Sequence, residues 1–229
     1  MPRNAIVLIN GDINNNAVKY VHQCERQRED VSVLSLQLMS WEWFVPVQGR
    51  NYPRVTFPAA RYHPHMPNGF SIAAFLDANY ASAPIFLCGP WKDGDESWRR
   101  GYTTAVFGLC DRVLRTAAHA SLDWSEHLSA ARAAVPSSRQ LGTWSPKQFG
   151  AETWEAMVFS DSWERFVHHA SLASYHASLL REDDPSAAVK SKRRALLRLA
   201  IDMYDELLAD ASPVKPIPVS TSSIIMPIA

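Results

Sequence analysis

Two short constellations carry residue types from which a binding or catalytic site could be built. The first is Asp12, which follows the apolar run Ala5-Ile6-Val7-Leu8-Ile9 and the turn Asn10-Gly11. A buried strand ending in Gly-Asp delivers a carboxylate at its carboxyl end, where open α/β sheets bind ligands. A carboxylate there can act as general base, metal ligand or hydroxyl acceptor; its competing local use is to cap the next helix. The second is the segment from Trp91 to Trp98, which brackets Asp93, Asp95 and Glu96 between two indoles. Carboxylates at a rim beside a flat apolar platform are what the hydroxyls and C–H faces of a carbohydrate require. The alternative is an exposed turn anchored in the core by its tryptophans. Trp41 and Trp43, one residue apart, cannot both face the core of a regular helix, so one of them belongs near a cleft or a partner surface.

Other chemistries are weakly supported or excluded. Gly11-Asp12 fits neither GxGxxG nor GxxxxGK[ST], so no phosphate-binding fingerprint is present. His63-Pro64-His65 and His168-His169 lack the i, i+4 spacing of a zincin, and no HExxH occurs, so no metal site is expected. Adjacent histidines on a helix point to different faces, which leaves at least one in solvent. No GxSxG motif marks a nucleophile. Cys24, Cys88 and Cys110 show no CxxC spacing; one disulfide with a free thiol, and three reduced thiols, both stay open. Lys plus Arg equals Asp plus Glu at 23 each, which argues against nucleic-acid binding through phosphate neutralisation. The stripe Lys190, Lys192, Arg193, Arg194 and Arg198 could meet an acidic partner or anionic lipid, but Asp202, Asp205, Glu206 and Asp210 balance it as a solvated helix face.

The elements that must position these residues follow from periodicity. Strands are expected at 5–9 and 31–36 around a helix at 15–28 capped by Asn14, Asn15 or Asn16. A short helix at 37–44 should stop before Pro46. An ordered loop is expected over 52–65, a helix over 69–79, a buried strand over 84–88, and a further strand at 104–109 or 112–114. Beyond residue 120 the pattern is helical. Asp161-x-x-Glu164 resembles a capping box, and Asp184-Pro185 a cap followed by proline at the first helical position. The short link between those two helices makes them antiparallel. The expected fold is α/β: a Rossmann-like three-layer domain over 1–118, a helical region with a hairpin over 119–212, and a disordered tail over 213–229. No stretch approaches the ~20 apolar residues of a bilayer span, and no leader pattern follows Met1. Taken alone, the chain reads as soluble and cytoplasmic.

The order of motifs adds a resemblance. Asn10-Gly11-Asp12, Tyr20, Cys24-Glu25, Arg28-x-Asp30-Val31 and Leu38-Met39-Ser40-Trp41-Glu42-Trp43 come in sequence. Phe57-Pro58, Arg61, Pro64, Gly94-Asp95-x-x-Trp98 and Cys110-Asp111 follow. Over residues 4–180 this set resembles the carboxyl-terminal, non-membrane part of the transmembrane protein 260 family, multi-spanning protein O-mannosyltransferases of the endoplasmic reticulum. The resemblance implies a lumenal appendage to a GT-C-type enzyme that moves mannose from dolichyl-phosphate mannose to Ser or Thr of IPT-type receptor domains. The catalytic acid and lipid-donor site then belong to the membrane-embedded portion, as a partner segment or subunit. No catalytic residue and no cofactor is assigned to this chain. Asp12, Trp41, Trp43, Arg61, Trp91, Asp93, Asp95 and Trp98 become candidates for acceptor recognition. Two rival readings remain: a free-standing small-ligand enzyme using Asp12, with a closed pocket where two strand ends meet, and an interaction module built on the helical hairpin.

Overall fold

The computed structural model describes residues 1–108, 110–133, 150 and 152–210; the tail expected over 213–229 lies outside them. Strand β1 (Ile6–Ile9) is flanked in parallel by β2 (Ser32–Ser35) and β5 (Ile85–Cys88). The antiparallel strands β7 (Cys110–Arg115) and β6 (Tyr102–Phe107) extend it to a mixed five-stranded sheet, ordered β2-β1-β5-β7-β6. A separate two-stranded pair joins β3 (Arg61–Tyr62) to β4 (Gly69–Phe70). The chain has an α/β fold.

Side chains alternate across a strand, and both faces of this sheet are buried. Ile6, Leu8, Leu34, Ile85 and Leu87 pack on one face with Ile72, Phe75 and Leu76 of α4 (Ile72–Asn79). Val7, Ile9, Val33 and Phe86 pack on the other, with Val18 of α1 (Asp12–Lys19) against them. Burial on both faces explains why these strands read as unbroken apolar runs.

Several boundaries depart from the sequence pattern, each for a local reason. Helix α1 begins at Asp12, with Gly11 (φ 101°) as a cap that offers no side chain, so the three asparagines fall inside the helix, past the capping position. It ends at Lys19 and passes into a π-helical turn, Tyr20–Cys24, so the helix does not run to 28. Arg28 and Asp30 instead pair at 2.8 Å and tie down the N-terminus, Arg28 donating to the Met1 and Pro2 carbonyls. The helix expected over 37–44 is split into α2 (Leu36–Met39) and α3 (Phe44–Gln48). Pro46 falls in the first turn of α3, where its missing N–H would have no intrahelical partner anyway. Helix α4 starts three residues late because Gly69 and Phe70 are used as β4. Both alternative late strands form, as the β6–β7 hairpin.

The remaining helices are α5 (Thr116–Ala120), α6 (Trp124–Ala133), α7 (Trp154–Leu179) and α8 (Ala187–Asp210). Helix α7 begins at Trp154 and not at 161, because the Thr153 hydroxyl caps it by accepting from the Ala156 amide at 3.3 Å. Ser186, which accepts from the Lys190 amide, stands before α8, so Pro185 precedes that helix and does not open it. Helices α7 and α8 are antiparallel as expected: Ser171 meets Tyr204, and Glu182 meets Arg193. Their seam of Ala170, Ala173, Ala177, Leu196, Ala200 and Met203 continues through Trp124 and Leu128 onto Ala105 and Leu114 of the sheet. Arg165 of α7 donates to both oxygens of Asp111 on β7 at 3.2 Å, a half-buried tie between helices and sheet. Cys88 and Cys110 are disulfide-bonded across β5 and β7, and Cys24 is free and exposed. Among the described residues no helix is long and apolar enough to cross a membrane.

Candidate functional site

The carboxyl ends of β1 and β5 meet through backbone. Gly89 ends β5 with φ 101°, and a Cβ there would lie 2.3 Å from the Asn10 carbonyl oxygen, so only glycine fits. The Asn10 amide donates to the Cys88 carbonyl at 3.1 Å, and its side chain reaches the Trp91 carbonyl at 3.4 Å. The two strand ends are thus joined directly through backbone. Asp12 stands exposed in the first turn of α1, where a negative charge suits the helix dipole. Among the described residues no side chain hydrogen-bonds to it.

Asp95 lies inside the protein and not at a rim; it is 4% exposed. One carboxylate oxygen accepts from the Ile72 amide at 2.6 Å and the other from the Ser97 amide at 3.0 Å. The Ala73 amide donates to the Ser97 hydroxyl, and the Ala74 amide to Ser71. Three otherwise unpaired donors of the first turn of α4 are thus satisfied, two of them by the 95–97 loop. Asp95 also faces the buried Tyr62 phenol, which burial first and the nearby carboxylate second keep un-ionised far above the ordinary tyrosine range. The loop is therefore clamped to α4 before any ligand arrives.

The two indoles stack on each other, with centroids 5.0 Å apart and planes at 22°, and both pack against the core. The Arg99 guanidinium also lies 5.0 Å from the Trp98 ring centroid. Much of the aromatic surface that could have served as a sugar platform is taken up internally. What remains beside the loop is a recess of about 140 Å³, lined chiefly by Tyr62, His63, His65, Lys92, Asp93 and Asp95. The Lys92 ammonium lies 5.5 Å from the Tyr62 ring centroid, a cation–π distance. Burial lowers the Lys92 pKa, and among the described residues no carboxylate pairs with it. His65 Nε2 stands 3.3 Å from the Gly94 carbonyl, the His63 Nδ1 atom is buried without a partner among the described residues, and Asp93 is exposed. An ammonium, two imidazoles and a carboxylate around a phenol ring can bind a hydroxyl or a peptide group. The recess falls below the roughly 300–1,000 Å³ of sites for drug-sized ligands, so it suits one side chain of a larger partner.

The other candidates stand apart from this recess. Arg61 pairs with Glu42 at 2.7 Å and also contacts Met66, which ties the Trp41-Glu42-Trp43 segment to β3. Trp41 and Trp43 lie between α2 and α3 and are both largely exposed; Trp43 lines a second recess with Lys19 and Tyr52. Sequence reading weighed His63 and His65 only as metal ligands and missed Tyr62 and Lys92. A lone lysine in a polar loop gives no signal, and Tyr62 joins the site through a loop 30 residues away. Among the described residues no group of three His, Cys, Asp or Glu side chains is placed to hold a metal ion.

The helical layer holds most of the remaining imidazoles. His169 is fully buried and His168 exposed, as adjacent positions on a helix demand. Trp124 stacks on His176 at 3.6 Å and meets His119 edge-on at 4.7 Å. Burial holds His169 and His176 down to about 4; the charges of His119 and His127 add to the effect at His176. On α8, Arg193 pairs with Glu182, Lys192 with Asp123 and Arg198 with Asp202, so the basic stripe is largely paired within the chain.

Comparison with known proteins gives one consistent answer. No protein-family model and no solved structure matches the chain. Protein O-mannosyl-transferase tmem260 of Dictyostelium discoideum is 42% identical over 114 residues, 50% of this chain and 14% of that protein. Protein O-mannosyl-transferase TMEM260 of Mus musculus is 30% identical over 173 residues, 72% of this chain and 23% of that protein. The chain thus spans less than a quarter of the length of either relative. Over the matched residues, it belongs to the transmembrane protein 260 family of protein O-mannosyl-transferases.

Proposed function

We propose that this chain is the lumenal, carboxyl-terminal, non-membrane part of a protein O-mannosyltransferase and that it holds the acceptor protein without carrying the reacting groups. The observation behind this reading is the 30% identity over 173 residues to a protein of which the chain covers only 23%. Mannose would come from dolichyl-phosphate mannose bound by the membrane-embedded portion, and the acceptor would be Ser or Thr of an IPT-type receptor domain. The Cys88–Cys110 disulfide suits an oxidising compartment such as the lumen of the endoplasmic reticulum. The parallel order β2-β1-β5, with helices on both faces, supports a Rossmann-like three-layer reading of the sheet. The recess of Tyr62, His63, His65, Lys92 and Asp93 supplies donors and an acceptor on a loop already fixed to α4. Holding an acceptor in place raises its effective concentration at a distant reaction centre.

The test is mannosyl transfer by membranes containing the native gene product, with and without Lys92→Ala and Asp93→Ala together. An acceptor-holding role predicts a raised KM for the acceptor at unchanged kcat, the signature of lost uniform binding. A fall in kcat at unchanged KM would place reacting groups in this chain and overturn the proposal. So would a native product found only in the soluble fraction at the size of this chain.

A further inference from the structure

The π-helical turn Tyr20–Cys24 and the aromatic segment after α2 meet at a recess of about 220 Å³. Its lining combines Trp43, Phe44 and Tyr52 with Lys19, Gln23 and Gln48. The π-helical turn begins directly after Lys19, and both Lys19 and Gln23 reach the recess. Among the described residues neither side chain has a hydrogen-bond or ion-pair partner. Burial lowers the Lys19 pKa. The Gln48 side-chain oxygen accepts from the Asn51 side-chain amide at 2.7 Å, which orients the carboxamide; among the described residues its own N–H groups have no partner.

The aromatic wall is anchored from behind. Trp43 and Phe44 lie 5.9 Å apart at 59°, Phe44 and Tyr52 6.2 Å apart at 30°, and Phe44 is buried in the core. Trp43 keeps 47% of its surface open. A wholly apolar ligand would desolvate Lys19 and the glutamines without returning hydrogen bonds. The volume is too small for a drug-sized molecule and matches a single six-membered ring with substituents. The rings meet at angles and form no parallel-walled slot, which disfavours a flat heteroaromatic ring. A pyranose chair fits: its axial C–H groups meet walls of different tilt, and its hydroxyls donate to the Gln23 carboxamide oxygen and accept from Lys19 and the Gln48 N–H groups.

We infer that this recess binds one hexopyranose unit, with Trp43 as the platform and Lys19, Gln23 and Gln48 as the hydroxyl partners. The inference goes beyond the acceptor-holding role and does not depend on it, because the two recesses share no residue. Saturation-transfer NMR on the chain, with methyl α-mannopyranoside, methyl β-glucopyranoside and adenosine as probes, tests it. Saturation should reach ring C–H protons of at least one hexopyranoside and should not reach adenosine. Trp43→Ala should weaken binding by about tenfold, as loss of one aromatic contact implies, and Gln23→Ala, on an exposed turn, should also weaken it. Unchanged thermal melting checks that both variants are folded. Absence of transfer to both hexopyranosides, affinity unchanged by both substitutions, or preferential transfer to adenosine would each overturn the inference. Mannosyl-transfer kinetics of Lys92→Ala, read separately, bear only on the acceptor-holding role.

Discussion

Two regions of this molecule place histidine in opposite surroundings. Around residues 62–98, His63 and His65 border a recess, and the carboxylate of Asp95 and the hydroxyls of Ser71 and Ser97 take up every free amide of the first turn of α4. In the helical layer, His127, His169 and His176 are buried with Trp124, and among the described residues neither ring nitrogen of His169 has a hydrogen-bond partner of good geometry. The first region spends its polar groups on fixing a loop and leaves others open to a partner. The second encloses polar rings in apolar packing, which requires them to stay neutral. The same residue type therefore borders an open recess in one place and belongs to a conditional core in the other, and access to solvent separates the two.

The largest expected effect comes from breaking that condition with acid. His169 and His176 titrate near 4 when folded and near 6.5 when unfolded. Between those values the unfolded chain binds more protons, so stability rises with pH across the window and is lost as pH falls through it. Each imidazole contributes roughly 3 kcal/mol to the loss by pH 4. Urea melts at pH 7, 5.5 and 4 should show the midpoint falling steeply. His176→Phe, which keeps a ring against Trp124 but cannot titrate, should flatten the curve in part, because His169, His127 and His119 are also held down by burial. An identical pH profile in that variant would remove His176 as a contributor.

An intermediate effect sharpens the other side. Asp95→Ala removes acceptors from the Ile72 and Ser97 amides and a negative charge at the start of α4. The expected cost is about 2–3 kcal/mol, in the range for a lost cap that leaves buried donors unpaired. Asp95→Asn should recover part of it, since a carboxamide oxygen can still accept. The urea midpoint at pH 7 measures both. A neutral Asp95→Ala would mean that the loop is a free rim and that the contrast between the two regions does not exist.

What could be read in the sequence follows the range of the interactions involved. Strands β1, β2 and β5 were legible because burial on both faces leaves apolar runs that stand out by themselves. The helical hairpin was legible from its repeat after Trp163. Its first turns were not, because Trp154 and Met157 are exposed and break the apolar rhythm. The pairing of Cys88 with Cys110 depends on β5 lying antiparallel to β7, a neighbour relation that no local pattern encodes. Asp95 looked like a rim carboxylate because its partners, Ile72 and Tyr62, are distant in the chain. The motif residues Arg28, Asp30, Asp95 and Asp111 turn out to be ties between segments. Much of the ordered set behind the resemblance thus encodes how the domain is held together, while Lys92 and Tyr62 at the recess fall outside it.

The smallest effect is the most discriminating. His65 is exposed, and its one polar contact among the described residues is the 3.3 Å approach of Nε2 to the Gly94 carbonyl. If imidazoles at the recess are there for a partner and not for packing, His65→Ala should change stability by no more than about 0.5 kcal/mol, the usual range for surface substitutions. It should also leave the acid-induced loss of stability intact, since that loss belongs to α7. Its effect should appear only with acceptor present, as a raised KM. A destabilisation comparable to that of Asp95→Ala would instead make His65 a structural strut of the 91–95 loop, and the recess would then be a consequence of loop packing with no claim to be a site.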